Sequence, residues 1–206
     1  MKRIALESLL ASPAEAAALV ELLERGGVAA LPTETFYGLA ANPWSEAGVE
    51  RVFAAKGRDD GKPLPVLIAG ASDLAGLGID VADAMLARWV ALWPAPLTVV
   101  LPVARPIAAS RGNRTLAVRV PALPSLRRLL ASTGPVTGTS ANRSGDEPIA
   151  DPDRVASSLG SSIELLIDGG ATPGGLPSTI VDATREAPIL LRAGAFAWPP
   201  RDAQVC

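Results

Sequence analysis

Apolar positions along this chain recur with helical spacing in some stretches and as short continuous runs in others. Leu19, Val20, Leu22 and Leu23 belong to a helix predicted behind Ser12, a capping serine, and Pro13 at the first helical position, with Gly26-Gly27 as its stop. Val28-Ala29-Ala30-Leu31 reads as a buried strand. Ser45 caps a second helix that runs to about Ala55 and ends at Gly57. Residues 64–69 (LPVLIA) form an apolar run of strand length, and residues 81–92 read as a helix with Met85, Leu86, Trp89, Val90 and Leu92 mostly on one side. Strands are predicted at 97–101, 115–120 and 136–139, with a short helix at 124–130 between the last two. A helix near 152–159 leads to strands at 163–167, 178–182 and 188–192. Helices and strands alternate at first and strands crowd later. That order predicts a single α/β domain over 1–206 with a twisted mixed parallel/antiparallel sheet flanked by helices. Its core would span about 12–194, and the tail 195–206 is expected to be non-helical and loosely attached.

Composition narrows the chemistry. With 206 residues and 49% apolar content the chain can bury a real core. There is no histidine, which removes Ser-His and Cys-His nucleophilic machinery and every His-containing zinc site. The one cysteine, Cys206, allows no intramolecular disulfide and predicts a cytoplasmic protein. Glu7 and Glu15 interrupt the N-terminal stretch, so a signal peptide is not expected. The most apolar long run, 84–104, carries Arg88 and three prolines and cannot span a membrane.

Charge is unevenly placed. Net charge is −2, yet no acidic residue falls between Asp83 and Asp146, where eight arginines (88, 105, 111, 114, 119, 127, 128 and 143) give a local +8. One reading of that interval is a phosphate footprint of an RNA-binding module without ATP turnover; another is a solvated face. An aromatic content of 4% is low for base stacking.

Four polar clusters sit at predicted element ends: PTETFYG (32–38), KGRDDGKP (56–63), TGTSANRSG (137–145) and GGLPST (174–179). Loops beyond strand ends of an α/β sheet can meet in one cleft. Each also has a plainer reading. Two of only three lysines, Lys56 and Lys62, flank Arg58, but cations at a helix C-terminus also offset the macrodipole. Glycine, serine and asparagine together make turns. No GxxxxGK[ST] or GxGxxG motif is present, so any phosphate would be held by Arg, Lys and loop amides.

Together these stretches resemble the YrdC-like family of threonylcarbamoyl-AMP synthases (TsaC type). The resemblance rests on LPTETFYGLAANP, KGRDDGKPL, LWPAPLTVVLP, TLAVRVP, TSANRSG, IDGG, GLPSTIVD and LLRAG, in family order from about residue 12 to 194. It implies a nucleotidyltransferase that converts L-threonine, bicarbonate and ATP into threonylcarbamoyl-adenylate and pyrophosphate. Magnesium would accompany ATP, with no protein metal ligand. The product would pass to partner proteins that modify tRNA, and weak tRNA binding is an expectation of the same kind. By resemblance, Thr35, Arg119, Gly138 and Ser178 would bind threonine. Lys56 and Arg58 would be catalytic, and Arg58, Lys62, Thr115, Ser140 and Arg192 would bind ATP. Leu67 stands where many relatives carry a histidine among the threonine contacts. The short tail implies that the additional C-terminal domain of longer relatives is missing.

Overall fold

A computed structural model describes residues 1–57, 61–80 and 84–199. The chain begins with β1 (Lys2–Ala5), α1 (Leu6–Ala11), α2 (Pro13–Glu24), β2 (Ala29–Leu31) and β3 (Gly38–Ala40). It continues through α3 (Glu46–Lys56), β4 (Val66–Leu67), α4 (Ala84–Val90), β5 (Leu97–Pro102) and β6 (Thr115–Arg119). Then come α5 (Pro124–Thr133), β7 (Val136–Thr137), β8 (Thr139–Ser140), α6 (Pro152–Leu159), β9 (Leu165–Asp168), β10 (Thr179–Asp182) and β11 (Ile189–Arg192).

Local chemistry sets the helix ends. Ser12 Oγ accepts from Glu15 N at 3.3 Å, and Ser45 Oγ accepts from Gly48 N at 3.1 Å, satisfying N–H groups that have no intrahelical partner. Gly57 closes α3 with φ +60°, a left-handed cap that suits glycine. Among the described residues no helix is long and apolar enough to cross a membrane.

The α/β class with mixed strand directions holds, with the strands divided between two hydrogen-bonded sheets. One has the order β1-β9-β2-β3-β8 and the other β11-β10-β5-β6-β4-β7. β1, β9 and β2 run parallel, and β3 turns back against β2. In the second sheet β10 and β5 are parallel, while β6 runs against β5 and alongside β4. The strand expected over 136–139 is broken at Gly138. β7 pairs with β4 in one sheet, and β8 pairs with β3 in the other. A Cβ at Gly138 would lie 2.4 Å from Leu67 Cγ, so a side chain at this passage between the sheets would have to displace Leu67. The larger core cluster includes Val28, Val66, Val99, Val118, Leu166 and Val181. A second, with Leu6, Leu19, Leu126 and Ile167, lies among α1, α2 and α5.

β1, α1 and β3 were not expected from the sequence. One further expectation is corrected: the tail is attached as far as Trp198. Thr179 Oγ1 donates to Phe196 O at 2.6 Å and accepts from Phe196 N at 3.1 Å. The Trp198 ring stacks on Trp89 with centroids 5.2 Å apart. The contacts include Ala195 N donating to Pro177 O at 2.8 Å, the Thr179 hydroxyl and the aromatic pair, none of which shows in composition. Residues 200–206 lie outside the described residues.

Candidate functional site

A cleft of about 470 Å³ opens where the chain crosses between the sheets at Gly138. The β2–β3 loop lines it with Thr33, Thr35, Phe36 and Tyr37, the α3 end with Lys56, and the loop before β4 with Lys62. The ends of β6, β10 and β11 bring Arg119, Ser178 and Arg192, and the 138–145 loop brings Ser140, Asn142 and Ser144. Eight of the ten residues expected from the sequence therefore share one cleft. Arg58 lies outside the described residues. Thr115 lies at the other end of β6 from Arg119, paired with Pro102, and does not line the cleft. Four strand steps, about 13 Å at 3.3 Å per residue, separate the two.

The hydroxyls of the β2–β3 loop are wired in one direction. Thr33 Oγ1 donates to Phe36 O at 2.7 Å and accepts from Thr35 N at 3.1 Å. Its single hydrogen is used, so across the 3.0 Å contact with Thr35 Oγ1 the donor is Thr35. Thr35 Oγ1 thus keeps acceptor lone pairs for the cleft and calls for a ligand that donates. Tyr37 does something else. Its OH donates to Gly170 O at 2.8 Å and accepts from Gly169 N at 3.1 Å, clipping the loop after β9. Burial pushes the phenol pKa up.

Lys56 is buried, and its Nζ donates to Ser140 O at 2.6 Å and Asn142 O at 2.9 Å. Ser144 N donates to Lys56 O at 2.8 Å. These contacts place Lys56 as the tie between α3 and the 138–145 loop. Asn142 Nδ2 donates to Arg143 O and Asp146 O, shaping the same loop, while its buried Oδ1 has no hydrogen-bond partner among the described residues.

The cations of β6 and β11 are held differently. Arg192 Nε and Nη2 donate to Ser178 O at 3.0 and 2.8 Å, and Nη2 also reaches Ser178 Oγ at 3.1 Å. Although Arg192 is exposed as a residue, its guanidinium folds back far enough that burial, then the Arg119 charge, pushes its pKa down. Ser178 Oγ is also bonded to Thr98 Oγ1 at 2.9 Å. Arg119, only 5% exposed, brings Nη2 within 2.6 Å of Glu34 Oε1. The approach is close but out of line. Among the described residues the covered Nε and Nη2 find no hydrogen-bond partner, and Nη1 is the N–H group that remains. Glu34 Oε1 also accepts from Ala122 N at 2.9 Å.

Sequence reasoning missed Glu34, Thr98 and Asn142. Glu34 could have been found, since it adjoins Thr35 in the quoted motif. Thr98 reads as an ordinary strand residue. Folding also spends part of the basic interval: Arg111, Arg119 and Arg128 pair with Glu50, Glu34 and Glu7, all from outside it. That weakens the phosphate-footprint reading.

Residues 21–194 match the Sua5_yciO_yrdC family, described as telomere recombination. The threonylcarbamoyl-AMP synthase of Pyrococcus abyssi is 40% identical over 179 residues, 84% of this chain and 52% of the relative. That of Chromohalobacter salexigens is 41% identical over 174 residues, 79% of this chain and 89% of the relative. The solved structure of Pyrococcus abyssi Sua5 complexed with L-threonine has a TM-score of 0.79 at 36% identity, covering 89% of this chain and 55% of that one. The chain spans about half the length of the curated relatives from Pyrococcus abyssi and Bacillus subtilis, 52% and 53%. With 174 of its 206 residues matched, the chain belongs to the Sua5/YciO/YrdC family.

Proposed function

We propose that this protein is a threonylcarbamoyl-AMP synthase, a nucleotidyltransferase acting on L-threonine, bicarbonate or CO2, and ATP. The observation that carries the reading is the buried Arg119 guanidinium, with two covered N–H groups out of hydrogen-bond geometry, in a cleft that also holds Lys62 and Arg192. Glu34 balances this cation from one side, and the remaining N–H group, Nη1, can take an anion in the cleft. The names of the curated relatives and the threonine complex of a structural neighbour support the choice of anions.

In the proposed reaction the threonine amine adds to the carbon of CO2, losing a proton, and gives a carbamate. A carbamate oxygen then attacks the α-phosphorus of ATP, the bond to the bridging oxygen breaks, and pyrophosphate leaves. Two anions must be brought together, so fixed cations and positioning carry the rate, and no titrating histidine is required. Arg119 would take the threonine carboxylate through Nη1. Thr35 would accept from the ammonium or hydroxyl, and Gly138 and Ser178 would complete the pocket. Lys62, Arg58, Ser140 and Arg192 would face the nucleotide, and Lys56 would hold the loop that carries Ser140. Thr115 has no place in this cleft. No described lining residue is a carboxylate, so magnesium would enter on the ATP phosphates as part of the substrate. Action in the cytoplasm and hand-over to tRNA-modifying partner proteins belong to the same proposal.

The test is pyrophosphate release from ATP and magnesium with bicarbonate and a panel of amino acids. A requirement for threonine is expected. Equal release without any amino acid would overturn the reading.

A further inference from the structure

A cleft that binds a monovalent carboxylate and a polyphosphate side by side must keep the second out of the place of the first. Its two arginines are set up unequally for that task. Arg192 donates to neutral oxygens of Ser178 and, among the described residues, pairs with no carboxylate. Its full charge is therefore available to phosphate. Arg119 has the Glu34 carboxylate 2.6 Å from Nη2. Arg119 lines the cleft and Glu34, its partner, does not. Glu34 is fixed through Ala122 N, and its second oxygen, Oε2, is buried without a hydrogen-bond partner. A carboxylate serving packing alone would be expected to have both oxygens bonded. Its negative charge is balanced by Arg119 and by no other described cation.

The consequence is electrostatic. At close range Nη1 of Arg119 still offers an N–H to a carboxylate. Farther out, Glu34 cancels much of the field, and its repulsion grows in proportion to the charge of the incoming group. A carboxylate needs only the short-range Nη1 contact, whereas the further charges of a diphosphate lie where the Arg119–Glu34 pair is nearly neutral and does not offset their desolvation.

Building on the synthase reading, we propose that Glu34 is a specificity-determining positioning residue: it holds Arg119 as a reader of a single carboxylate and excludes phosphate from the amino-acid end of the cleft. Such exclusion is specificity by repulsion of the wrong ligand.

The experiment is calorimetric titration of inorganic pyrophosphate, without ATP or threonine, into wild type, Glu34→Gln and Glu34→Asp, after each is shown to melt cooperatively. Glu34→Gln keeps the shape and removes the charge; Glu34→Asp keeps the charge. A single pyrophosphate per chain is expected for wild type and Glu34→Asp. A second is expected to bind Glu34→Gln, and added L-threonine should displace only that one. Two pyrophosphates on wild type, or a single one on folded Glu34→Gln, would overturn the proposal. If Glu34→Gln fails to fold, Glu34→Ala takes its place, with a second pyrophosphate expected and a single one overturning the proposal. Absence of threonine-dependent turnover would sink the synthase reading alone, because the pyrophosphate count needs no threonine.

Discussion

Thr35 donates its hydroxyl hydrogen bond to Thr33 and keeps acceptor lone pairs for the cleft, so in the proposed reaction the amino acid would be selected by what it donates. If the substrate hydroxyl is one of those donors, valine leaves buried polar groups unpaired at roughly 1–3 kcal/mol per group. Serine loses only a methyl, about 1 kcal/mol. Threonine, serine, valine is therefore the expected order of pyrophosphate release at matched ATP and bicarbonate. Leu67, packed against Gly138, supplies an apolar wall beside this pocket, and valine matching serine would show that the wall outweighs the hydroxyls. Lys62 is exposed on the loop before β4. Lys62→Ala should lower turnover by at least about tenfold, the loss of one charge-assisted contact of about 1.5–3 kcal/mol, with an unchanged melting temperature. Near-normal turnover would return the 56–63 loop to a helix-end role. Glu34 shows why one sequence cannot display the whole site. Its partner Arg119 lies 85 positions away and meets it only once β2 and β6 end at the same cleft.

Among the elements, the passage β7–Gly138–β8 does most to build the cleft, because it joins the sheets and leaves room for a ligand beside Leu67. Gly138→Ala would force a Cβ to 2.4 Å from Leu67 Cγ, and overpacking of this kind costs typically 1–3 kcal/mol. Denaturant melts should show that loss, and Leu67→Ala in the same chain should recover part of it. Equal stability of Gly138→Ala and wild type would contradict the close packing. The long amphipathic and capped elements were legible in the sequence: Ser12-Pro13 opens α2, and Ser45 and Gly57 bracket α3. The two-residue strands were not separable, since 136–139 reads as one β-forming run and only Gly138 hints at a break. β1 was hidden for a different reason. Its residues are largely exposed, and its strand state comes from pairing with β9, more than 160 residues away.

At the scale of the whole molecule, the first strand and the loop after β9 are tied across the chain. Arg3 pairs with Asp168 at 2.8 Å and with Asp153, and Asp168 Oδ1 accepts from Gly170 N at 2.8 Å. The Gly170 hydrogen bond first, and then Arg3 against some desolvation, hold the Asp168 carboxyl below the ordinary aspartate range. A depressed pKa means that this contribution is present above about pH 4, the unfolded value, and fades as pH falls through the lower folded value. Asp168→Asn should therefore lower the melting temperature at pH 7 and leave it nearly level with wild type at about pH 2. An equal deficit at both would point to packing instead of charge. The two sheets meet at a cleft whose cations, Lys56, Lys62, Arg119 and Arg192, come from separate parts of the chain. The claim that this cleft joins a threonine carbamate to AMP is tested most directly by mass spectrometry of the reaction with 13C-bicarbonate, ATP, magnesium and L-threonine. The account predicts a single adenylate carrying both the threonine and the 13C label. AMP formed with neither threonine nor label attached, in a freshly quenched sample, would contradict it.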